Sequence, residues 1–366
     1  MSRNSNGNFR KTDKKFKYKS SASPIGIDIG SAQVKIVQLQ QRAGILSFIT
    51  CVSIPTPEGT ISEGRIKDPE KLSHKLSQLK KKLTLKDSRV NLCLGPEAHF
   101  LRLIDLPPLS KKDLQKTLPW QLEKHFPLKA ANAVYDCCPM IDKGTAGNGS
   151  ISYILAAAET ETANILTGVA EKAGFKPLSL EVNPLSLLRL ETLSQKGSSV
   201  KNCRSNIALL DIGYRSSTLL LTRSGKLKYS RHLRLGVLDF LKEVSFVNDI
   251  NLAEAERVIF QNQPLSTNIP IKIAELLLEQ INSSIGHYLD QSGSGGAEPS
   301  LLAVSGGGAV IPGLISYLQS KLSIKVELRQ LPAFNNSKPG CKADALQTSS
   351  AIYATAFGLA LRGWLR

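Results

Sequence analysis

An internal repeat constrains this chain more than any other feature. The run Gly26-Ile27-Asp28-Ile29-Gly30-Ser31-Ala32-Gln33-Val34-Lys35-Ile36-Val37 resembles Leu209-Leu210-Asp211-Ile212-Gly213-Tyr214-Arg215-Ser216-Ser217-Thr218-Leu219-Leu220. Both read as an apolar strand, an Asp-Ile-Gly, a short polar turn and a second apolar strand. Both run on through another glycine turn, Arg42-Ala43-Gly44 and Arg223-Ser224-Gly225, into a third strand-like segment over 45–51 and 226–233. The two aspartates lie 183 positions apart in a chain of 366 residues. A β-meander repeated at half the chain length predicts two related lobes.

Helical and strand patterns fill the rest. Leucines at 72, 76, 79 and 83 put one apolar face on a helix over 69–83, and a strand follows over 90–94. Ser110 with Asp113 three residues on predicts a capped helix over 110–125, which Pro119 should kink or divide. Strands over 135–141 and 151–158, joined by a glycine-rich loop at 143–150, lead to a helix over 160–173 that Gly174 ends. The second half predicts helices over 251–260 and 271–289 and a Ser/Gly linker over 291–299. A buried strand over 301–304, a helix over 311–322 and a last helix from about 349 to 361 follow.

Charge sets the first residues apart. The net charge is +17, and in the opening segment Arg3, Arg10, Lys11, Lys14, Lys15, Lys17 and Lys19 face a single acid, Asp13. With almost no apolar side chains this segment cannot offset its ordering entropy, and it reads as a disordered basic tail. A solvated solubility tail fits it, and so does attraction to anionic lipid, where each basic residue is worth about 1 kcal/mol. No nucleic acid is expected, because no aromatic residues interleave with the basic ones. No apolar run resembles a secretory signal, and no stretch approaches the ~20 apolar residues of a membrane span. Cys51, Cys93, Cys137, Cys138, Cys203 and Cys341 form no C-x-x-C pair and fit reduced thiols in a cytosol. The histidines, at 74, 99, 125, 232 and 287, form no i, i+4 metal pair and read as structural or surface residues.

The Asp-x-Gly hairpins carry the chemistry. Glycine permits a positive φ and lets a ligand approach the main chain. Amide N–H groups and the hydroxyls of Ser31, Ser216, Ser217 and Thr218 can then cradle phosphate oxygens. Asp28 and Asp211, at strand ends, suit a divalent cation held through water, as Mg²⁺ prefers. A third glycine site, Gly306-Gly307-Gly308, follows a strand and precedes a helix. It removes side chains where a flat ring or ribose could pack. It is no P-loop, since no Gly-Lys-Ser/Thr follows.

Two Asp-Ile-Gly hairpins plus a Ser-Gly-Gly-Gly turn resemble the phosphate and adenosine motifs of the superfamily of actin, heat-shock chaperones and sugar kinases. Within it, the chain is similar to the PilM family of type IV pilus assembly proteins. The resemblance rests on 25–39, on Leu106-Pro107 followed by 116–128, and on Ala173-Gly174-Phe175-Lys176-Pro177. It continues through Pro184-Leu185-Ser186-Leu187-Leu188-Arg189, 305–313 and Gly358-Leu359-Ala360-Leu361-Arg362-Gly363, covering the chain from about 24 to its end. It implies an α/β, actin-like (ribonuclease H-like) duplicated two-lobe fold with ATP and Mg²⁺ between the lobes. The divisions would be a basic tail (1–23) and a first lobe (24–204) with an inserted subdomain at about 100–175. A second lobe (205–346) and a C-terminal helix (347–366) returning to the first lobe would complete it.

The resemblance also implies a cytoplasmic protein, peripheral at the inner membrane, in the pilus alignment platform. There it would bind the cytoplasmic tail of a PilN-type membrane protein, with other platform proteins and self-association as further contacts. Trp120, Glu123 and Phe126 would border the docking groove. Nucleotide contacts would fall on Asp28, Gly30, Ser31, Lys35, Asp211, Gly213, Ser216, Ser217, Thr218, Gly306, Gly307 and Gly308. The adenine-facing helix would contribute Gln280, Ser283 and Ser284.

Two departures from the family pattern point to weaker nucleotide binding than is typical and away from fast catalysis. Asn183 stands before Pro184, where a Glu or Gln often positions the attacking water. Asparagine hydrogen-bonds but is no base, and the strand period puts Glu181 on the same face without making it equivalent. The stretch Gln280-Ile281-Asn282-Ser283-Ser284 lacks the acid and bases usual on the adenine helix. ATP as a structural or switching ligand, with slow or no hydrolysis, is the resulting expectation. An FtsA-like division protein, or a small-molecule kinase of the same superfamily, is the alternative. The apolar segment 351–366 abuts the core directly and favours a packed helix over a membrane anchor.

Overall fold

The two meanders form matching sheets. In the first, β1 (Ile25–Ile29), β2 (Gln33–Arg42) and β3 (Ile45–Pro55) run antiparallel. Helix α1 (Pro69–Lys82) leads to β4 (Arg89–Leu94), which lies parallel to β1. The chain then leaves the lobe for an insertion: β5 (Phe100–Leu106), α2 (Lys111–His125), β6 (Ala133–Pro139) and β7 (Ile151–Glu159), whose strands form an antiparallel sheet ordered β6-β7-β5. It returns through α3 (Thr160–Lys172) to β8 (Lys176–Val182), parallel to β4.

Helix α4 (Asn183–Gly197) crosses to the second lobe, where β9 (Asn206–Ile212), β10 (Ser217–Arg223) and β11 (Lys226–Leu233) repeat the meander. Helices α5 (Val237–Asn248), α6 (Leu252–Phe260) and α7 (Ile271–Ser292) follow, then β12 (Leu301–Ser305), α8 (Leu314–Lys321) and β13 (Lys325–Leu328). A single 3₁₀ turn, Ser350–Tyr353, opens α9 (Ala354–Ala360). The strand orders are β3-β2-β1-β4-β8 and β11-β10-β9-β12-β13, with the last pairs of each parallel, so the duplication extends to the whole sheet.

This computed structural model describes residues 22–42, 45–85, 87–140, 149–197, 206–261, 270–292, 296–331 and 350–363, with the backbone of 2–3 and 9–10. Nearly all of the expected basic tail, together with Cys203, Cys341 and most of the loop 143–150, lies outside them.

Each meander buries one face in its own lobe. Ile25, Ile27, Val34 and Ile36 pack on Leu72 and Leu76 of α1 and on Ala163 and Val169 of α3. Leu210, Ile212, Leu219 and Leu221 pack on Phe240, Leu277 and Leu314. The opposite faces share a third core. Val37 and Leu39 of one meander and Leu209 and Leu220 of the other meet Leu187 and Leu190 of α4 and Phe357 of α9. Fully burying a side chain such as Phe357 is worth roughly 1.5–3 kcal/mol, so this shared core holds the lobes around their connector. The approach of α9 needs glycine on both sides. A Cβ on Gly26 would lie 2.1 Å from the Ala356 carbonyl oxygen, and one on Gly358 would lie 2.1 Å from that of Ser186.

Several expectations change. Pro119 does not divide α2, which is continuous: Ser110 caps its start, and buried Leu118, Gln121 and Leu122 pin it on either side of the proline. Helix α3, expected inside the insertion, packs in the main core of the first lobe. Helix α8 starts only at Leu314, because Pro312 and the left-handed Gly313 (φ +83°) delay it. Asn183 is not on a strand but opens α4. Glu181, one residue before the end of β8, ion-pairs with Arg189 and with Arg362 (2.9 Å).

Candidate functional site

The two hairpins close alike. The Gly30 N–H donates to the Gln33 carbonyl at 3.0 Å, and the Gly213 N–H donates to the Ser216 carbonyl at 3.0 Å. Ser31-Ala32 and Tyr214-Arg215 form their tips. A Cβ on Gly213 would sit 2.7 Å from the Ser216 oxygen, so the second turn excludes a larger residue, and one on Gly30 would sit 3.0 Å from the Gln33 oxygen, a tight fit. Downstream chain braces each tip. Thr56 Oγ1 donates to the Gly30 carbonyl (2.6 Å), and the Val237 and Leu238 N–H groups donate to the Gly213 (3.0 Å) and Tyr214 (2.7 Å) carbonyls.

Both tips open onto one cavity of about 870 Å³ between the lobes. That is the size of a site for a nucleotide-sized ligand. Asp28, Gly30, Ser31, Lys35 and Asn183 line it from the first lobe; Asp211, Gly213, Ser216, Gly306 and Gly307 line it from the second. The glycine triplet divides by role. A Cβ on Gly306 (φ +87°) would fall 2.4 Å from the Ile212 carbonyl oxygen, and one on Gly308 would fall 2.2 Å from Ile212 Cγ2. Gly307 meets nothing closer than Val237 Cγ2 at 4.0 Å and faces the cavity. Packing against β9 explains the outer two; only Gly307 leaves room for a ligand.

The electrostatics of the cleft are mixed. Lys35 Nζ lies 3.4 Å from Asp28 Oδ2. Burial pushes the Asp211 carboxyl up, and the Asp28 charge adds to this, while the Ser305 hydroxyl (2.8 Å) and Lys35 oppose it. Arg65, Lys67, Arg215 and Arg257 also line the cavity, as do Glu97, Glu161 and Glu256. Asn183 donates through Nδ2 to Thr218 Oγ1 at 3.1 Å, but its Oδ1 is buried with no hydrogen-bond partner. A buried amide oxygen left so costs free energy unless a ligand or water supplies a donor. Burial lowers the His99 imidazole, behind the cleft, to about 4. Among the described residues no group of three or more His, Cys, Asp or Glu side chains could hold a metal directly. Asp28 and Asp211 both line the cavity, and carboxylates so placed can reach a cation through water.

The remaining expected residues lie elsewhere. Ser217 is buried and donates to the Leu235 carbonyl (2.6 Å), while the Thr218 hydroxyl serves Asn183, and neither lines the cavity. Gln280, Ser283 and Ser284 do not reach it either. Helix α7 turns Ile281 and Ser284 inward, Arg231 hydrogen-bonds both serines, and the Gln280 carbonyl takes the Ser284 hydroxyl. In place of α7, α6 lines the cavity from the second lobe through Glu256, Arg257 and Phe260, and α3 lines it from the first through Glu161, Thr162 and Ile165. The capping box of α6, Asn251 with Glu254, marks it in the sequence, but nothing local says which face meets the cleft. On α2, Trp120 is an exposed large apolar side chain, with Lys124 Nζ 5.0 Å above its ring, and Glu123 is exposed as well. Phe126 is buried against Phe100, and Glu123 accepts the Ala130 N–H at 2.9 Å.

Residues 26–364 match the profile of the type IV pilus assembly protein PilM. The chain belongs to the PilM family. Its fold is actin-like. It superimposes on a solved PilM–PilN type IV pilus biogenesis complex with a TM-score of 0.83 at 24% identity, covering 94% of this chain and 99% of that one. It is also similar to the ethanolamine utilization protein EutJ from Carboxydothermus hydrogenoformans, with a TM-score of 0.54 at 12% identity over 94% and 90% of the two chains. Among the described residues no helix is long and apolar enough to cross a membrane.

Proposed function

We propose that this PilM-family chain binds ATP with Mg²⁺ in the cleft between its lobes. We further propose that it works as a cytoplasmic, membrane-peripheral scaffold of the type IV pilus assembly platform, docking the cytoplasmic N-terminal tail of a PilN-type membrane protein. The observation that carries the nucleotide reading is the convergence of both Asp-x-Gly hairpins and Gly307 on one cavity beside the unpartnered Asn183 oxygen. In this reading the hairpin tips hold the phosphates, Asp28 and Asp211 hold the hydrated cation, and the base and ribose lie between Gly307 and α6. Hydrolysis is slow or absent, because Asn183 can orient a water but cannot take its proton. The partner reading draws on the likeness to the solved PilM–PilN complex, with exposed Trp120 as a contact.

Isothermal titration with ATP and Mg²⁺, run beside a phosphate-release assay, tests the first part; micromolar binding with negligible release is expected. No binding would sink the nucleotide reading, and fast turnover abolished by Asp28→Ala would sink slow hydrolysis. A pull-down with tail peptides of PilN-type proteins tests the second, and no binding by any of them would remove the platform assignment.

A further inference from the structure

Ser216 ties the second hairpin together through its carbonyl, yet its hydroxyl leaves its own lobe. It donates to Glu97 Oε1 at 2.5 Å, a carboxylate of the first lobe 119 positions away in sequence. Glu97 sits on a single 3₁₀ turn, Pro96–Ala98, between β4 and β5. Its side chain is seated closely. Gly64, at φ +69°, lies where a Cβ would be 2.6 Å from Glu97 Cβ and 2.9 Å from Oε2. Next to the turn, His99 Nδ1 meets the Gly95 carbonyl oxygen at 2.8 Å. Glu97 and Ser216 both line the cavity.

A carboxylate and a phosphate ask the same of this hairpin, namely donors for an anionic oxygen. A serine hydroxyl has one proton to donate. While Ser216 donates it to Glu97, it has none for a ligand, and a phosphate brought beside it meets a second negative charge. Building on the nucleotide reading above, we propose that Glu97 is a specificity-determining residue of the cleft. It is an internal anion that occupies the Ser216 hydroxyl and that a ligand's phosphate must displace. The penalty falls on the phosphates and leaves base and ribose untouched. It also couples occupancy to the lobes, because displacing Glu97 removes a contact that spans them.

Isothermal titration of the full chain with ATP·Mg²⁺ and with adenosine tests this. Glu97→Ala should bind ATP·Mg²⁺ about tenfold more tightly than the wild type, which is about 1.4 kcal/mol, with adenosine unchanged. Glu97→Gln keeps the side-chain volume and guards against misfolding; it should gain part of this. In a Ser216→Ala background the Glu97→Ala gain should shrink to about threefold, the part left by charge repulsion alone. An equal gain for adenosine, no gain for ATP, or a full gain without Ser216 would overturn the proposal while leaving the nucleotide site standing. Failure of wild type and variants alike to bind any nucleotide would overturn both.

Discussion

Lys35 Nζ lies 3.4 Å from Asp28 Oδ2, on the residue directly opposite it across the first hairpin. In the second hairpin the residue opposite Asp211 is Thr218, which accepts a hydrogen bond from Asn183. The duplicated turns therefore share a backbone but not a charge. Lys35 also holds the Asp211 carboxyl down against its burial. Lys35→Met keeps most of the side-chain length and removes the charge. It should weaken ATP·Mg²⁺ binding about tenfold, as expected for losing one charged phosphate contact. Titration checks it, and unchanged affinity would make Lys35 no more than a counter-ion of Asp28.

Asp211 should make the ligand-free protein less stable at neutral pH. Its carboxyl is raised from 3.8 by burial, so the folded state keeps the proton longer than the unfolded chain. Stability is then lost as pH climbs from the unfolded value through the folded one. Asp211→Asn removes the penalty. Its melting temperature should exceed the wild type's at pH 7.5, with the difference vanishing below about pH 3.8. Mg²⁺ with ATP should reverse the order, because only the carboxylate helps a cation.

The glycine triplet separates folding from binding. Gly308→Ala places a methyl 2.2 Å from Ile212 Cγ2 and should cost roughly 1–3 kcal/mol by overpacking. Gly307→Ala has 4.0 Å to its nearest neighbour and should melt like the wild type. If the ligand packs there, it should still bind ATP at least fivefold more weakly, on the order of 1 kcal/mol. Melts and titrations of both variants give the comparison; a Gly307→Ala protein with normal affinity would move the ligand away from this turn.

The sequence disclosed the repeat because a hairpin writes its own local pattern. Period-two apolar residues and Asp-Ile-Gly at the bend are enough to find β1–β2 and β9–β10, and their registers follow from the seven-residue spacing of Asp28 to Lys35 and Asp211 to Thr218. Helix α4 was hidden by Pro184, which reads as a break although a proline in the first turn lacks only an N–H the helix does not use. Helix α5 buries Val237, Phe240, Leu241 and Val244 at helical spacing, and the exposed Phe246 and Val247 add apolar residues off that face. The cleft was legible where it is made of turns and illegible where it is made of contacts. Glu97 meets Ser216 only because lobes distant in sequence fold together, and α6 rather than α7 reaches the wall through packing that no local pattern records.

Glu191 and Arg329 fix the connector to the second lobe. Glu191, on α4, ion-pairs with Arg329, the residue after β13, with side chains only 2% and 13% exposed. The Arg329 N–H also extends the sheet, donating to the Val304 carbonyl at 2.7 Å. Losing one member of such a buried pair strands the other charge away from water, at roughly 3–5 kcal/mol. Glu191→Leu should therefore lower the denaturation midpoint sharply. Glu70→Ala, which breaks the exposed pair with Lys172, should cost at most about 1 kcal/mol. The double variant Glu191→Leu/Arg329→Met should recover much of the loss, because two apolar side chains leave no charge stranded. Denaturant titrations of the three proteins, followed at both lobes by hydrogen exchange, decide it. A double variant no better than the single one would mean that the pair sets the lobe arrangement itself rather than merely satisfying two charges.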